Sequence, residues 1–88
     1  MHLKEKEERK DSVRIKYIDD LANRYPEGTR IKLNYMVSRN SVPKGTYGTV
    51  QYVDEQGRIK MDWDNGQNLA LIEGLDSFEI IKDYKVER

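Results

Sequence analysis

After Gly28 the apolar pattern of this chain changes its period from about four residues to two, which limits the folds open to it. Ile31, Leu33 and Tyr35 alternate with Arg30, Lys32 and Asn34, the signature of a strand with one buried face. TYGTVQYVD (46–54) reads as a second strand. RIKMDW (58–63) alternates again, with Ile59, Met61 and Trp63 on one face. Between them, Glu55-Gln56-Gly57 reads as a hairpin turn. Asp64-Asn65-Gly66 is the strongest turn signal, because Asn-Gly readily supplies the positive φ of a tight hairpin. QNLALI (67–72) then reads as a fourth strand, Glu73-Gly74-Leu75-Asp76 as a short turn, and SFEII (77–81) as a fifth strand. Residues 36–45 carry Ser, Asn, Pro and Gly and form the longest loop.

Before the switch the chain is helical in pattern. Val13, Tyr17, Leu21 and Tyr25 recur at four-residue spacing with Ile18 and Ala22 beside them, and Asp11-Ser12 offers a cap. Arg14 falls in the middle of this face, so the first turn either lies outside the packed region or Arg14 snorkels. Pro26 and Gly28 end the helix. Residues 1–11 interleave both charge signs at spacings that allow helical ion pairs of a few tenths of a kcal/mol. That is too little to hold a helix, so this lead is expected to be frayed helix or disordered. The chain therefore divides into a charged lead (1–11), an amphipathic helix (12–25), a β domain (26–81) and a polar tail (82–88).

Five short strands in so small a domain need a second layer or must curl on themselves. The expected fold is mainly β: a small five-stranded SH3-like barrel with an N-terminal amphipathic helix. With 88 residues, its core is modest.

Charge narrows the function classes. Lys plus Arg and Asp plus Glu each total 16, and no segment is strongly basic or acidic. Nonspecific attraction to nucleic-acid phosphate should be weak, and a DNA-mimicking acidic surface is not expected. Cysteine is absent and His2 is the only histidine, which leaves no thiolate or histidine-rich metal site. No apolar run is long enough for a membrane span, and none follows a basic start as in a signal peptide. A cytoplasmic protein without cofactor is expected.

The string PEGTRIKL, then Met36, then PKGTYGTVQYVDEQGRIKMDWDNGQNLALIEGLD, resembles a bacterial domain-of-unknown-function family of Gram-positive bacteria, phages and mobile elements. The resemblance covers roughly residues 24–81. It rests on Pro-x-Gly-Thr-Arg, Gly-Thr-x-Gly-Thr-Val, Val-Asp-x-x-Gly and Trp-Asp-Asn-Gly followed by Leu. More distantly, the chain is similar to the SH3-like modules of Mind-bomb-type ubiquitin ligases, which share Gly-x-Val and Trp-Asp-x-Gly. Val37-Ser38-Arg39-Asn40 stands where members of the bacterial family often carry acidic residues. The resemblance implies an SH3-like fold and no particular activity.

The residues offer little to an enzyme. Asp62 and Asp64 project on one strand face, as a general acid–base or cation pair would, but no third carboxylate, histidine base or activated nucleophile accompanies them. The simpler reading has Asp64 bonding the turn backbone and Asp62 solvated. KGTYGTV lacks the Gly-Lys-Ser/Thr ending of a phosphate loop, and its glycines are read as a tight turn into a bent strand.

The aromatics carry more. Trp63 and Phe78 are expected in the core, and Tyr17 and Tyr25 on the helix face. Tyr35, Tyr47 and Tyr52, with Met36, Asn40 and Pro43 of the long loop, form the candidate ligand site of a protein-binding module. The alternative is a nucleic-acid-binding barrel with a basic stripe of Arg30, Lys32, Arg58 and Lys60, joined by Arg39 and Lys44, beside aromatics that stack bases. The helix face either enlarges the core or docks a partner or second copy.

Overall fold

The computed structural model describes residues 2–82, with side chains from Val13 onward. A helix α1 (His2–Arg24) precedes four strands, β1 (Arg30–Tyr35), β2 (Tyr47–Val53), β3 (Ile59–Trp63) and β4 (Ser77–Ile80). All pairings are antiparallel, in one open sheet of order β3-β2-β1-β4. The alternation read from the sequence holds over most of each strand. Ile31, Leu33, Val50, Ile59, Met61 and Trp63 are buried on one face, joined there by Met36, Val42 and Leu71.

The sheet has four strands where the sequence predicts five. Residues 67–72 do follow β3 back as a hairpin arm: Trp63 N–H donates to the Gln67 carbonyl at 3.1 Å, and Ile59 and Leu71 exchange two bonds of 2.9 Å. In the middle of this register the Leu69 carbonyl accepts the Trp63 indole N–H at 2.8 Å. The indole takes the acceptor a ladder would use, so the arm pairs only at its ends. The expected five-stranded closed barrel is therefore replaced by an open four-stranded sheet with an irregular arm.

Helix α1 packs against β2, and Tyr25, the residue after it, reaches Phe78 of β4 and Glu73 beyond the arm. The Tyr25 ring meets Phe78 edge-on, with centroids 5.5 Å apart, and its hydroxyl donates to Glu73 at 3.1 Å. Arg24 forks onto the same carboxylate. Leu21 is fully buried, but Val13, Ile15 and Tyr17 are exposed. The apolar stripe predicted over three turns thus packs chiefly through its C-terminal half. Arg14 is exposed, in keeping with a first turn outside the packed region. The helix runs through Asp11-Ser12 instead of starting there, and the lead is helical from His2. Of the tail, residues 83–88 lie outside the described residues.

Two β-bulges decide which side chains face outward. In the β2–β3 register Val50 opposes Met61 but Tyr52 opposes Lys60, and in β1–β4 Leu33 opposes Phe78 but Tyr35 opposes Ser77. Each bulge adds a residue and reverses the alternation beyond it. Tyr52 and Tyr35 are thereby turned away from the core, and Met36, one step further, is turned into it.

Candidate functional site

The outer face of the sheet gathers most of the predicted site residues. Pairing places Arg30, Thr49 and Asp62 in one row across β1, β2 and β3. Lys32 and Tyr47 form the next, continued by Asp64, whose N–H donates to the Tyr47 carbonyl at 2.9 Å. Lys60 opposes Tyr52 further along β2, and Glu79 of β4 flanks Lys32. Directly opposed residues share a face, so these side chains lie together on the side away from the core.

Arg30 organises the centre of this face. Its guanidinium forks onto both Asp64 oxygens at 2.9 and 2.7 Å and donates to Thr49 Oγ1 at 2.9 Å. It also stands 5.9 Å from the centroid of the Tyr47 ring. Arg30 therefore spans β2 and fixes Tyr47 from above by cation–π attraction. The Arg30 hydrogen bonds hold the Asp64 carboxyl below the usual carboxylate range, against a smaller opposing effect of burial. The turn reading of Asp64 is corrected by this geometry. Its carboxylate serves Arg30, and Asn65 is the residue whose side chain accepts the Gln67 N–H at 3.0 Å.

The three outward tyrosines are 63% (Tyr35), 41% (Tyr47) and 56% (Tyr52) exposed. They run in a line along the β1–β2 pair, with Tyr47 between the other two. Tyr35 is about 10 Å from it and Tyr52 about 15 Å, at roughly 3.3 Å per strand residue. Tyr52 therefore stands away from the long loop, not beside it as the sequence suggests. Asn40 and Pro43 are exposed in that loop, but Met36 is 5% exposed and belongs to the core, which corrects its assignment as a ligand residue.

The predicted basic stripe is divided. β2 separates Arg30 and Lys32 from Lys60, and Arg58 lies in the β2–β3 turn, paired with Asp54 at 2.8 Å. Burial would raise the Asp54 carboxyl, but hydrogen bonds from Arg58 and from the Gln56 backbone bring it below its ordinary value. Among the described residues no three potential ligand side chains come together to hold a metal ion. Asp62 and Asp64 share the outer face, and Asp64 is committed to Arg30. Among the described residues no helix is long and apolar enough to cross a membrane.

Asp76, which no sequence motif marks, fixes the loop side of this face. One oxygen accepts the Val37 N–H and the other the Ile72 N–H, both at 2.9 Å. It thereby ties the long loop to the arm beside the Tyr35–Ser77 pair. A separate cleft of about 490 Å³ between α1 and the β2–β3 turn is lined by Arg14, Ile15, Ile18, Asp19, Glu55 and Gln56, none of them a predicted ligand residue.

The family model described as Domain of unknown function (DUF4314) matches residues 14–81, which include every element of the sheet and the packed half of α1. The chain belongs to that family. No curated protein and no solved structure matches it significantly. The DUF4314 match starts at Arg14, ten residues before the resemblance read from the sequence, and so takes in the helical turns that pack on the sheet. Within this DUF4314 domain, the outer face is built on paired strands, and its central ring lies against an arginine that an ion pair holds in place.

Proposed function

We propose that the chain is a non-enzymatic SH3-like binding module that recognises a protein partner through the outer face of its sheet. One observation carries this reading. Three exposed tyrosines lie on a face where Arg30, Lys32 and Lys60 are matched by Asp62, Asp64 and Glu79. Tyrosine supplies amphipathic contact area at low entropic cost and is enriched in protein interfaces. A face with both signs in equal number complements another protein surface better than a polyanion, which wants one sign throughout. The SH3-like assignment rests on the strand path β4-β1-β2-β3 continued by the 67–72 arm. With the predicted bacterial, phage or mobile-element setting, the role is that of a cytoplasmic accessory or regulatory protein. Inhibition of a host defence protein is one form of it.

Nucleic-acid binding remains the second reading because Tyr47 neighbours Lys32 and Tyr52 neighbours Lys60, an aromatic and a cation side by side in both places. Affinity capture from host lysate with and without nuclease separates the two. Protein recognition predicts a partner that survives nuclease and is lost with Tyr47→Ala. Recovery that collapses with nuclease, or that ignores Tyr47, contradicts it.

A further inference from the structure

The charges of the outer face are balanced and also sorted by strand. In the row through Thr49, β1 contributes Arg30 and β3 contributes Asp62; in the row through Tyr47, β1 contributes Lys32 and the residue after β3 contributes Asp64. Across β1, β2 and β3 both rows read basic, uncharged, acidic, with β2 as the uncharged centre and Glu79 of β4 beyond Lys32. A surface of this kind is complementary to itself. A two-fold axis lying along β2 lays the basic strand of one copy over the acidic strand of the other, twice, and brings the β2 tyrosines of both copies together. A closed two-fold contact requires such self-complementarity, since each patch meets its own image. A face of single sign would repel itself.

We infer that the outer sheet face pairs with the same face of a second copy of this chain, its β1 cations meeting the partner's β3-side carboxylates across a tyrosine centre. The inference deepens the protein-recognition reading and rests on it. Arg30 and Asp64 already pair across β2 within one chain, at 2.7 Å, so the partner's Asp62 and Lys32 extend that pair into a network of four charges. Lys60 lies outside the two central rows, and Glu79 ends the Tyr47 row beyond Lys32, on the outer side of β1. Aligned face-to-face packing of two sheets is a standard layering of β structure.

Sedimentation equilibrium tests the inference with charge reversals at two accessible positions, Lys32→Glu and Asp62→Lys. The wild-type mass is expected to rise from 10.4 kDa toward twice that value between micromolar and millimolar loading. Each variant alone should stay at the monomer mass, because its own two copies now oppose like charges. Circular dichroism of both variants confirms that they are folded. A wild type that stays monomeric overturns the inference, as do variants that each pair like wild type, since the contact would then lie elsewhere. A monomer that captures another protein through Tyr47 overturns self-pairing alone. A monomer whose capture ignores Tyr47 overturns the protein-recognition reading with it.

Discussion

Gly48 sits where a side chain has no room. A Cβ there would meet the Trp63 ring at 2.5 Å and the Met61 methyl at 3.1 Å. The sequence marks Gly48 as a turn or bend residue, but the physical reason is the indole lying against its backbone, a contact visible only once β2 and β3 are paired. Gly48→Ala should cost about 1–3 kcal/mol, the usual penalty of overfilling a packed site, read as a lower urea midpoint at unchanged slope. Asp76 was equally hidden, because its two backbone partners are Val37, distant in sequence, and Ile72, within an irregular arm. Its replacement by Ala removes both acceptors and should destabilise by about 1–3 kcal/mol. The pH dependence also belongs to single residues. The Asp64 carboxyl is lowered by Arg30, so its contribution is complete above about pH 4 and is lost as pH falls through the lowered value. Tyr25 shifts the other way: burial first, then the Glu73 hydrogen bond, raises its hydroxyl. Its contribution is complete below about pH 10 and is lost as pH rises through the raised value. Denaturant titrations of Asp64→Asn and Tyr25→Phe should each flatten only the corresponding limb of the stability profile.

At the scale of elements, the period switch at Gly28 is enough to place β1, β2, β3 and β4 to within a residue or two. It fails at 67–72, where apolar content and a tight preceding turn suggest a strand. There a side-chain donor from Trp63 competes successfully for the ladder acceptor. Periodicity also assumes unbroken alternation, which puts Tyr35 on the face of Ile31 and Leu33 and leaves Met36 outside the core. Two bulges supply the missing phase. The helix shows how far an apolar stripe can outrun the surface it packs on. Leu21→Ala should cost about 2–5 kcal/mol as a fully buried leucine. Val13→Ser, on the same stripe but exposed, should fall within about 0.5 kcal/mol of wild type. Equal effects from the two would mean that α1 packs along its whole length.

For the whole molecule, the candidate site was legible in kind but not in arrangement. Tyrosines and alternating cations could be read from the sequence. Their sorting into a basic strand and an acidic strand about an aromatic centre depends on strand order, which no residue pattern states. Placing β2 between β1 and β3 is what divides the basic stripe and leaves Tyr47 at the middle of the face. The same order leaves the exposed half of α1 and its cleft as a second surface, built by the helix and the β2–β3 turn and adjoining Tyr52 at one end of the tyrosine line. The most direct test of the outer face as the working surface is a backbone amide map by NMR. It would be recorded as the chain's own concentration is raised and again as a captured protein partner is added. The shifts should concentrate at Arg30, Lys32, Tyr47, Thr49, Tyr52 and Asp62, with Val13–Ile18 and Glu55–Gln56 unmoved. Shifts confined to that helix and turn, with the outer face silent, would contradict the account.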